Sequence, residues 1–299
     1  MFSKKVLREM PLHLMLLPGV IIVLIFCYGP MTGIIMAFEK FMPSKGMYAS
    51  PFVGLDNFKY IIDLPGTFQV LWNTVYIAMM KILANLFIPV LFALLLNEVG
   101  NKWIKRIIQT GIYFPYFLSW IILGGILIDI LSPSEGIINK VIGSLGFQQV
   151  FFLGDERSFP YVMVFSDAWK NFGFGTIVYL AALSGIDPNL YEAGYIDGAN
   201  RWKQTLHITI PGIMSTIVLM ATLSLGNVLN AGFDQIFNLY SPQVYSTGDI
   251  IDTFVYRLGI VDVQYSVATA VGLFKSVVSF TFIAISYKLA NRFANYRIF

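Results

Sequence analysis

Six long apolar runs, separated by shorter polar segments, dominate the chain. About 20 mostly apolar residues let a helix cross a ~30 Å hydrocarbon layer, where a helix satisfies its own backbone hydrogen bonds. The pattern therefore predicts an all-α integral membrane protein with six transmembrane helices. These helices cover residues 12–38, 68–96, 107–130, 160–183, 212–233 and 264–289.

The composition supports the same class. Of the 299 residues, 57% are hydrophobic and 12% are charged, whereas soluble domains have about 45–50% and about 25%. The net charge of +3 is too small to indicate a nucleic-acid-binding surface. One cysteine, Cys27, allows neither an intrachain disulfide nor a cysteine metal cluster, and with only two histidines no metal site is predicted.

Basic residues in the loops predict the direction of the chain, because Lys and Arg near span ends are retained on the cytoplasmic side. With the N-terminus inside, eleven Lys and Arg lie in the cytoplasmic segments and six lie opposite. We therefore expect both termini in the cytoplasm. The cytoplasmic set is Lys4, Lys5, Arg8, Lys102, Lys105, Arg106, Arg201, Lys203, Lys288, Arg292 and Arg297.

The first apolar run superficially resembles a signal peptide, because Lys4, Lys5 and Arg8 precede it. It is much longer than the ~7–15 apolar residues of a signal peptide, and no A-x-A-like cleavage site follows it. We therefore expect a retained first helix. No low-complexity tract, soluble-domain linker or repeat interrupts the chain, which indicates one permease domain over residues 1–299.

The internal loop at 186–212 has the pattern of structured helix. Asp187 can cap an N-terminus and Pro188 suits the first helical position, which predicts a short helix over 188–196. Gly198 accepts the left-handed conformation that a break needs. A second short helix is expected from about residue 199 and should stop before Pro211.

Small residues leave one side of this helix pair without bulky side chains, so that another protein could approach closely. They are Ala193, Gly194, Gly198 and Ala199. The loop therefore indicates a docking knob on the cytoplasmic face. The alternative is an amphipathic helix resting on lipid, but Glu192 and Asp197 make a poor lipid-facing side.

The same loop resembles the EAA loop of ABC-importer permeases, E-A-A-x-x-D-G-A-x-x-W-x-x-F-x-x-I-x-L-P. The residues that carry the resemblance are Glu192-Ala193-Gly194, Asp197-Gly198-Ala199, Trp202 and the I-T-I-P string at 208–211. Gly194 replaces the third-position Ala, Leu206 stands near the family's aromatic residue, and Ile210 replaces Leu. Two further strings, FVGLDNFKYI at 52–61 and GNVLNAGFDQIFNLYSP at 226–242, are similar to segments of LplB-like oligosaccharide permeases.

The resemblance covers nearly the whole chain and implies the type I importer permease fold in a bacterial cytoplasmic membrane. Implied partners are a second permease, two ATPase subunits, an extracytoplasmic binding protein, an oligosaccharide and membrane lipid. ATP and Mg would be used by the ATPases, with no cofactor bound to this chain. Coupling to the ATPases is expected from Tyr191, Glu192, Ala193, Gly194, Asp197, Gly198 and Ala199.

Catalysis by this chain is not predicted. ATP hydrolysis typically needs a G-x-x-x-x-G-K-[ST] phosphate cradle, and the sequence has none. An intramembrane hydrolase is disfavoured because no G-x-S-x-G string occurs and the two histidines lie at or beyond the cytoplasmic boundary. A self-contained secondary transporter is the stronger alternative, although no matching pair of Gly/Pro-interrupted segments in two halves supports it.

Polar residues within the apolar runs are candidates for a substrate pathway, since they are costly in hydrocarbon and usually face protein or water. Amides and carboxylates beside aromatic residues suit the polar edges and apolar faces of a sugar. The alternative is that Asp167 pairs with Lys170 while the asparagines join helices. The candidates are Asp167, Lys170, Asn171, Asn227, Asn230 and Asp234.

Three lysines within the runs suggest the charge of the cargo. Lys81, Lys170 and Lys275 together would make the pathway cationic. An acidic oligosaccharide, for example a uronate-containing fragment, is therefore a hypothesis for the substrate.

Overall fold

The computed structural model describes residues 4–294, with side chains from 10 to 288. Within that part of the chain all regular elements are helical, and Glu39 and Phe52 form an isolated antiparallel bridge. The all-α prediction is confirmed. Of the basic residues counted for orientation, Arg297 lies outside the described residues, as do the side chains of Lys4, Lys5, Arg8 and Arg292.

The described residues divide into two compact units, one comprising the chain up to residue 64 with 255–274, the other 65–254 with 275 onward. The α-helices are α1 Lys4–Val23, α2 Asp56–Asp63, α3 Thr67–Glu98, α4 Lys102–Tyr113, α5 Trp120–Leu131, α6 Ile137–Ser144, α7 Phe159–Ser184, α8 Pro188–Ile196, α9 Arg201–Gln204, α10 Ile210–Leu225, α11 Phe233–Leu239, α12 Tyr245–Gly248, α13 Ile251–Tyr256 and α14 Tyr265–Ala294.

In the first unit, helix α2 packs against the end of the first long helical segment. That segment continues α1 through a π-helical turn and a 3₁₀ helix, Gly29–Phe38. The Asn57 amide donates to the backbone carbonyls of Ala37 and Glu39, at 2.9 Å each. The backbone N–H of Phe41 donates to Ser266 Oγ at 2.9 Å. These bonds satisfy backbone groups at the end of a helix that would otherwise lack partners.

The second unit is organised around the packing of α3 against α7. Ile77, Phe159 and Met163 are fully buried in a cluster with residues of α11, and a second cluster contains Tyr179 and Ile213. At the start of α7, the Ser158 backbone N–H donates to Asp155 at 2.9 Å, which holds the pKa of that carboxyl below its usual value.

Four helical segments of the described chain are long and apolar enough to cross a membrane. The number of spans rises to five if two further segments, joined by a sharp bend, count together as one span. Helix α7 matches the predicted fourth run but carries Asp167 and Lys170, which lower its mean hydropathy. The count of six spans therefore remains a prediction. The four segments are Met10–Phe38, Thr67–Glu98, Arg201–Leu225 and Tyr265–Lys288.

The prediction of one continuous third span is wrong. Residues 107–130 belong to two helical segments, Lys102–Phe117 and Trp120–Leu131, which are bent by 104°. Pro115 lies in the 3₁₀ turn before the break and lacks a backbone N–H to continue the helix. Ser119 then caps α5 by accepting a hydrogen bond from the Ile122 N–H at 3.3 Å.

The expected ends of the fifth span are also corrected. Helix α10 ends at Leu225 rather than at residue 233, and a turn segment leads to Gly232, whose φ of +91° suits glycine. The preceding loop helix was expected to stop before Pro211, but helical structure continues from Arg201 through the proline. A π-helical turn over Thr205–Thr209 precedes Pro211 and adjusts the hydrogen bonding around it.

A close approach between α4 and α7 gives a test of the fold. A Cβ on Gly173 would lie 2.0 Å from the Ile112 carbonyl oxygen. Gly173→Ala should therefore lower the free energy of unfolding by about 1–3 kcal/mol, although alanine alone favours a helix. The measurement is thermal unfolding in detergent. The matched control is Gly111→Ala, where a Cβ meets nothing within 4 Å; equal stability of the two variants would contradict the packing.

Candidate functional site

A group of buried polar side chains joins three parts of the second unit. We call Lys81, Asn85, Asp167 and Gln235 the polar node. The Lys81 ammonium donates to the Ala231 carbonyl at 2.6 Å and to Gln235 Oε1, and it lies 3.8 Å from Asp167 Oδ1. Because the Lys81 side chain is only 8% exposed, its charge depends on these partners.

The other members of the node complete the connection between α3, α7 and α11. Gln235 is fully buried, and its Nε2 donates to the Met163 carbonyl at 2.8 Å and to Ser166 Oγ at 2.7 Å. Asn85 Nδ2 donates to Asp167 Oδ2 at 2.7 Å. Both amides thus have a partner on α7, so the node fixes α3 and α11 to that helix.

The turn segment between α10 and α11 explains why a cation is needed here. Irregular backbone leaves carbonyls without helical partners, and those that are buried must be satisfied by protein or water. Lys81 satisfies the carbonyl of Ala231. Gly232 leaves space for the lysine, since a Cβ there would lie 3.0 Å from Nζ.

A small cavity of about 190 Å³ opens beside the node. Asn85 lines this cavity, and its Oδ1 is buried without a hydrogen-bond partner among the described residues, so it is an unsatisfied acceptor in the cavity wall. Such a lining suits a ligand rich in hydroxyl groups. The polar lining residues are Lys81, Asn85, Asp167, Ser224, Asn227 and Asn230.

The cavity brings together some of the predicted pathway residues. Asp167, Asn227 and Asn230 line it, whereas Lys170, Asn171 and Asp234 do not. Asn227 and Asn230 were expected within the fifth apolar run, 212–233, but they lie in the turn segment after α10 and not in a helix. Asp234 is exposed in the first turn of α11.

Lys170 has a different position from the one that its spacing suggested. Its ammonium donates to the carbonyls of Tyr116 and Leu118, at 2.8 and 2.5 Å, and it lies 5.6 Å from the ring centres of Tyr116 and Trp120. It therefore caps the break between α4 and α5, while Asp167 bonds to Asn85 and faces Lys81. The alternative that Asp167 pairs with Lys170 is therefore not borne out.

Lys275, the last of the three lysines within the apolar runs, also has a partner, because it forms an ion pair with Asp252 at 2.5 Å. Lys81 and Lys170 are each bound to carbonyl groups. The three lysines therefore do not form a row of free cations, and the hypothesis of an acidic substrate cannot rest on them.

Three contributors to the site were not among the predicted site residues: Asn85, Ser224 and Gln235. The signal for Asn85 was available, because it follows Lys81 by four residues and so shares its helical face. The positions of Ser224 and Gln235 depend on where α10 ends, which the apolar run does not reveal.

The 186–212 loop forms the helix that the sequence predicts. Helix α8 spans Pro188–Ile196, and the Asp187 side chain caps it by accepting from the Asn189 N–H at 3.0 Å. Gly198 has a φ of +74° at the break. Asn200 caps the following turn by accepting from the Lys203 N–H at 2.9 Å.

Part of α8 packs against the helix that follows it. The Tyr191 hydroxyl lies 3.0 Å from Thr209 Oγ1, and a Cβ on Gly194 would lie 3.1 Å from Ile208 Cδ1. Gln204 Nε2 donates to the Ala199 carbonyl at 3.2 Å. Tyr191, Gly194 and Ala199 thus contact this chain, while the exposed members of the predicted coupling set are Glu192, Ala193, Asp197 and Gly198.

An open cleft of about 730 Å³ lies between α8 and the C-terminal end of α3. Arg201 Nη1 and Glu98 Oε2 form an ion pair across it at 2.7 Å. Tyr195 and Ile196 are 79% and 84% exposed at its rim. The cleft and these exposed side chains give the loop a surface that another protein can contact.

Comparisons with known proteins place this architecture. Residues 85–295 match the family model described as binding-protein-dependent transport system inner membrane component. Protein LplB of Bacillus subtilis (strain 168) is 42% identical over 96% of this chain and 90% of its own length. The polygalacturonan/rhamnogalacturonan transport system permease protein YteP of the same organism is 37% identical, over 99% and 92%.

Solved structures give the same relationship. A bacterial ABC transporter involved in the import of the acidic polysaccharide alginate matches with a TM-score of 0.90 and 36% identity, over 97% of this chain and 98% of that one. A bacterial alginate ABC transporter in complex with an alginate pentasaccharide-bound periplasmic protein matches with a TM-score of 0.88 and 36% identity, over 97% and 96%.

The polar node makes a prediction about stability. Lys81→Met should lower the free energy of unfolding by about 3–5 kcal/mol, because it leaves the buried Asp167 carboxylate without its cation. Adding Asp167→Asn should recover part of this loss, since the uncompensated charge is removed. Thermal unfolding of the two single variants and the double variant measures the coupling. Strictly additive losses would show that the two side chains do not interact.

Proposed function

The chain belongs to the family of binding-protein-dependent transport system inner membrane components, and on that premise we propose its place in an ATP-driven importer of oligosaccharides. It is the membrane permease subunit, forming the translocation pathway together with a second permease. The observation that carries this function is the similarity to the permease of an alginate importer over 97% of the chain at a TM-score of 0.90.

The substrate that we propose is an acidic oligosaccharide. The support comes from the substrates named for two relatives, since one is a polygalacturonan/rhamnogalacturonan permease and the other imports the acidic polysaccharide alginate. The cavity beside the polar node contributes hydroxyl-binding groups, from Asn85, Asn227 and Asn230. We assign recognition of the sugar hydroxyls to this cavity, with Asp167 as a further acceptor.

Among the remaining predicted pathway residues, Asn171 and Asp234 stay proposed contacts along the route. Lys170 acts on the route indirectly in this proposal, because its ammonium holds the break between α4 and α5.

The proposed assembly contains this chain as a single permease domain, a second permease, two cytoplasmic ATPase subunits and an extracytoplasmic binding protein. A related alginate transporter is described in complex with an oligosaccharide-bound periplasmic protein, which supports the last partner. ATP and Mg act in the ATPases, because this sequence has no phosphate cradle. We therefore assign neither catalysis nor a directly bound cofactor to this chain.

We place the chain in the bacterial cytoplasmic membrane with six spans and both termini inside. The excess of Lys and Arg in the segments at one side supports this direction. Helix α7 would be the further span beyond the segments that pass on length and hydropathy, because its polar Asp167 and Lys170 face protein partners rather than lipid.

The 186–212 loop is the proposed contact with an ATPase subunit. Its exposed residues Glu192, Ala193 and Asp197 would contact the partner, while Tyr191, Gly194 and Ala199 hold α8 against this chain. Gly198 permits the break between the two helical parts. Motion of the partner would then reach α10 directly, because helical structure runs on from Arg201 to Leu225.

Reconstitution tests the function against a self-contained secondary transporter. The complex of all proposed subunits in proteoliposomes should take up an acidic oligosaccharide only when the binding protein is present and ATP is supplied on the side of the membrane where the ATPase subunits lie. Uptake by this chain alone, driven by an ion gradient, would contradict the proposal. Uptake of neutral oligosaccharides in preference to acidic ones would reject the substrate class and keep the importer function.

Coupling gives a second test. Glu192→Ala and Gly198→Val should leave the protein inserted in the membrane but lower ATP-driven uptake and weaken association with the ATPase, by at least about tenfold for a loss of about 1.4 kcal/mol in binding. Valine is strained at the φ of +74°. The control is Glu135→Ala, an exposed acidic residue of the segment expected outside. Unchanged copurification of the ATPase with both variants would remove the coupling assignment.

The cavity gives a third test. Asn85→Leu removes the open acceptor and should raise the oligosaccharide concentration needed for half-maximal uptake by about tenfold, as expected for about 1–2 kcal/mol per hydrogen bond. Because Asn85 also bonds to Asp167, Ser224→Ala serves as a second variant in the lining. Half-maximal concentrations equal to wild type in both variants, at equal expression, would exclude the cavity as a sugar site.

A further inference from the structure

Helix α4 has two chemically distinct faces. Lys102, Lys105 and Arg106 are three and four residues apart and therefore share one face. Trp103, Ile104, Ile107 and Ile108 lie on the opposite side. Such a division is typical of a helix that lies in the interface of a membrane.

The basic face lacks acidic partners. Among residues 10–288, whose side chains are described, none forms an ion pair with Lys102, Lys105 or Arg106. The two lysines also stand in the first turns of the helix, where its dipole disfavours positive charge. Three neighbouring cations without acidic partners attract an external anion.

The apolar face is equally uncovered by its own unit. Trp103 is 76% exposed and Ile107 57%, and Ile104 is also exposed. The segment Lys102–Phe117 is bent by 104° from Trp120–Leu131, so α4 runs almost at right angles to α5. Because α5 has 12 residues and would cover only about 18 Å, the two segments make one bent span, and the basic first turns of α4 lie at its cytoplasmic end.

A shallow cleft joins the two faces. It measures about 310 Å³ and is lined by Trp103, Arg106, Ile107 and Thr110. A guanidinium binds phosphate oxygens in a bidentate manner. Tryptophan prefers the level of the lipid headgroups. The cleft therefore offers a phosphate partner at the headgroup level with apolar side chains beside it.

We propose that α4 binds the headgroups of anionic phospholipids in the cytoplasmic leaflet. Arg106 contacts the lipid phosphate, Lys102 and Lys105 supply further positive charge, and Trp103 anchors the helix beside the acyl chains. Charge complementarity selects this occupant over a neutral lipid, and the exposed Trp103 and Ile107 beside the cations favour a lipid over an acidic protein surface. The inference rests on the membrane location and on the proposed orientation, and it does not depend on the transported sugar.

The test uses the complete transporter in nanodiscs of phosphatidylcholine alone or of equal parts phosphatidylcholine and phosphatidylglycerol. Native mass spectrometry of the released complex counts the retained phosphatidylglycerol molecules. The triple variant Lys102→Gln, Lys105→Gln, Arg106→Gln should lose about a hundredfold in preference for phosphatidylglycerol, given about 1 kcal/mol for each of the three basic residues near an anionic surface. The matched control removes the same charge at Lys45, Lys59 and Lys140, in segments expected outside.

Each outcome decides the proposal. Loss of retained phosphatidylglycerol in the α4 variant and not in the control supports it. Equal retention in both overturns it. Binding of inorganic phosphate to the wild-type transporter in neutral nanodiscs, but not to the triple variant, also overturns it, because the site would then recognise free phosphate rather than lipid. Loss of the second permease or of the ATPase with unchanged lipid retention would assign α4 to a protein partner instead. Because lipid retention is measured without transport, failure of the uptake assay leaves this test intact.

Discussion

The structure depends on the requirement that no charge or backbone carbonyl is left without a partner inside the hydrocarbon layer. The Lys81 ammonium meets this requirement for several groups at once, since it contacts the Ala231 carbonyl, Gln235 and Asp167. Each of these groups would be costly alone in a low-dielectric setting. Together they stabilise the irregular backbone segment between α10 and α11, and that segment carries the asparagines of the cavity.

The node and the 186–212 loop are connected through continuous helices. Helix α3 carries Lys81 and Asn85 and ends at Glu98, which pairs with Arg201 of the loop. Since that ion pair is exposed, it contributes little energy, and the stronger connection is the helical run from Arg201 to Leu225. Displacement of α8 can therefore reach the edge of the cavity, where Ser224 lies.

Sequence reasoning predicted the elements that depend on local pattern. The helix over 188–196 follows from Asp187, Pro188 and Gly198, whose effects are confined to a few residues. The bend after Pro115 and the end of α10 at Leu225 were missed, because apolar composition continues through both breaks. The partners of Asp167 and Lys170 were also missed, since spacing along one helix cannot show which side chains other helices supply.

The central claim is that an ATPase partner changes the access of the cavity through the 186–212 loop. Replacing Cys27 by serine and introducing Ser224→Cys gives a single thiol in the cavity lining of this chain. The rate of its reaction with a membrane-impermeant thiol reagent, added from either side of the assembled transporter, measures access. We predict that a non-hydrolysable ATP analogue changes which side reacts faster, and that Glu192→Ala abolishes this change. Rates of thiol modification that are the same from each side with and without the nucleotide would contradict the account.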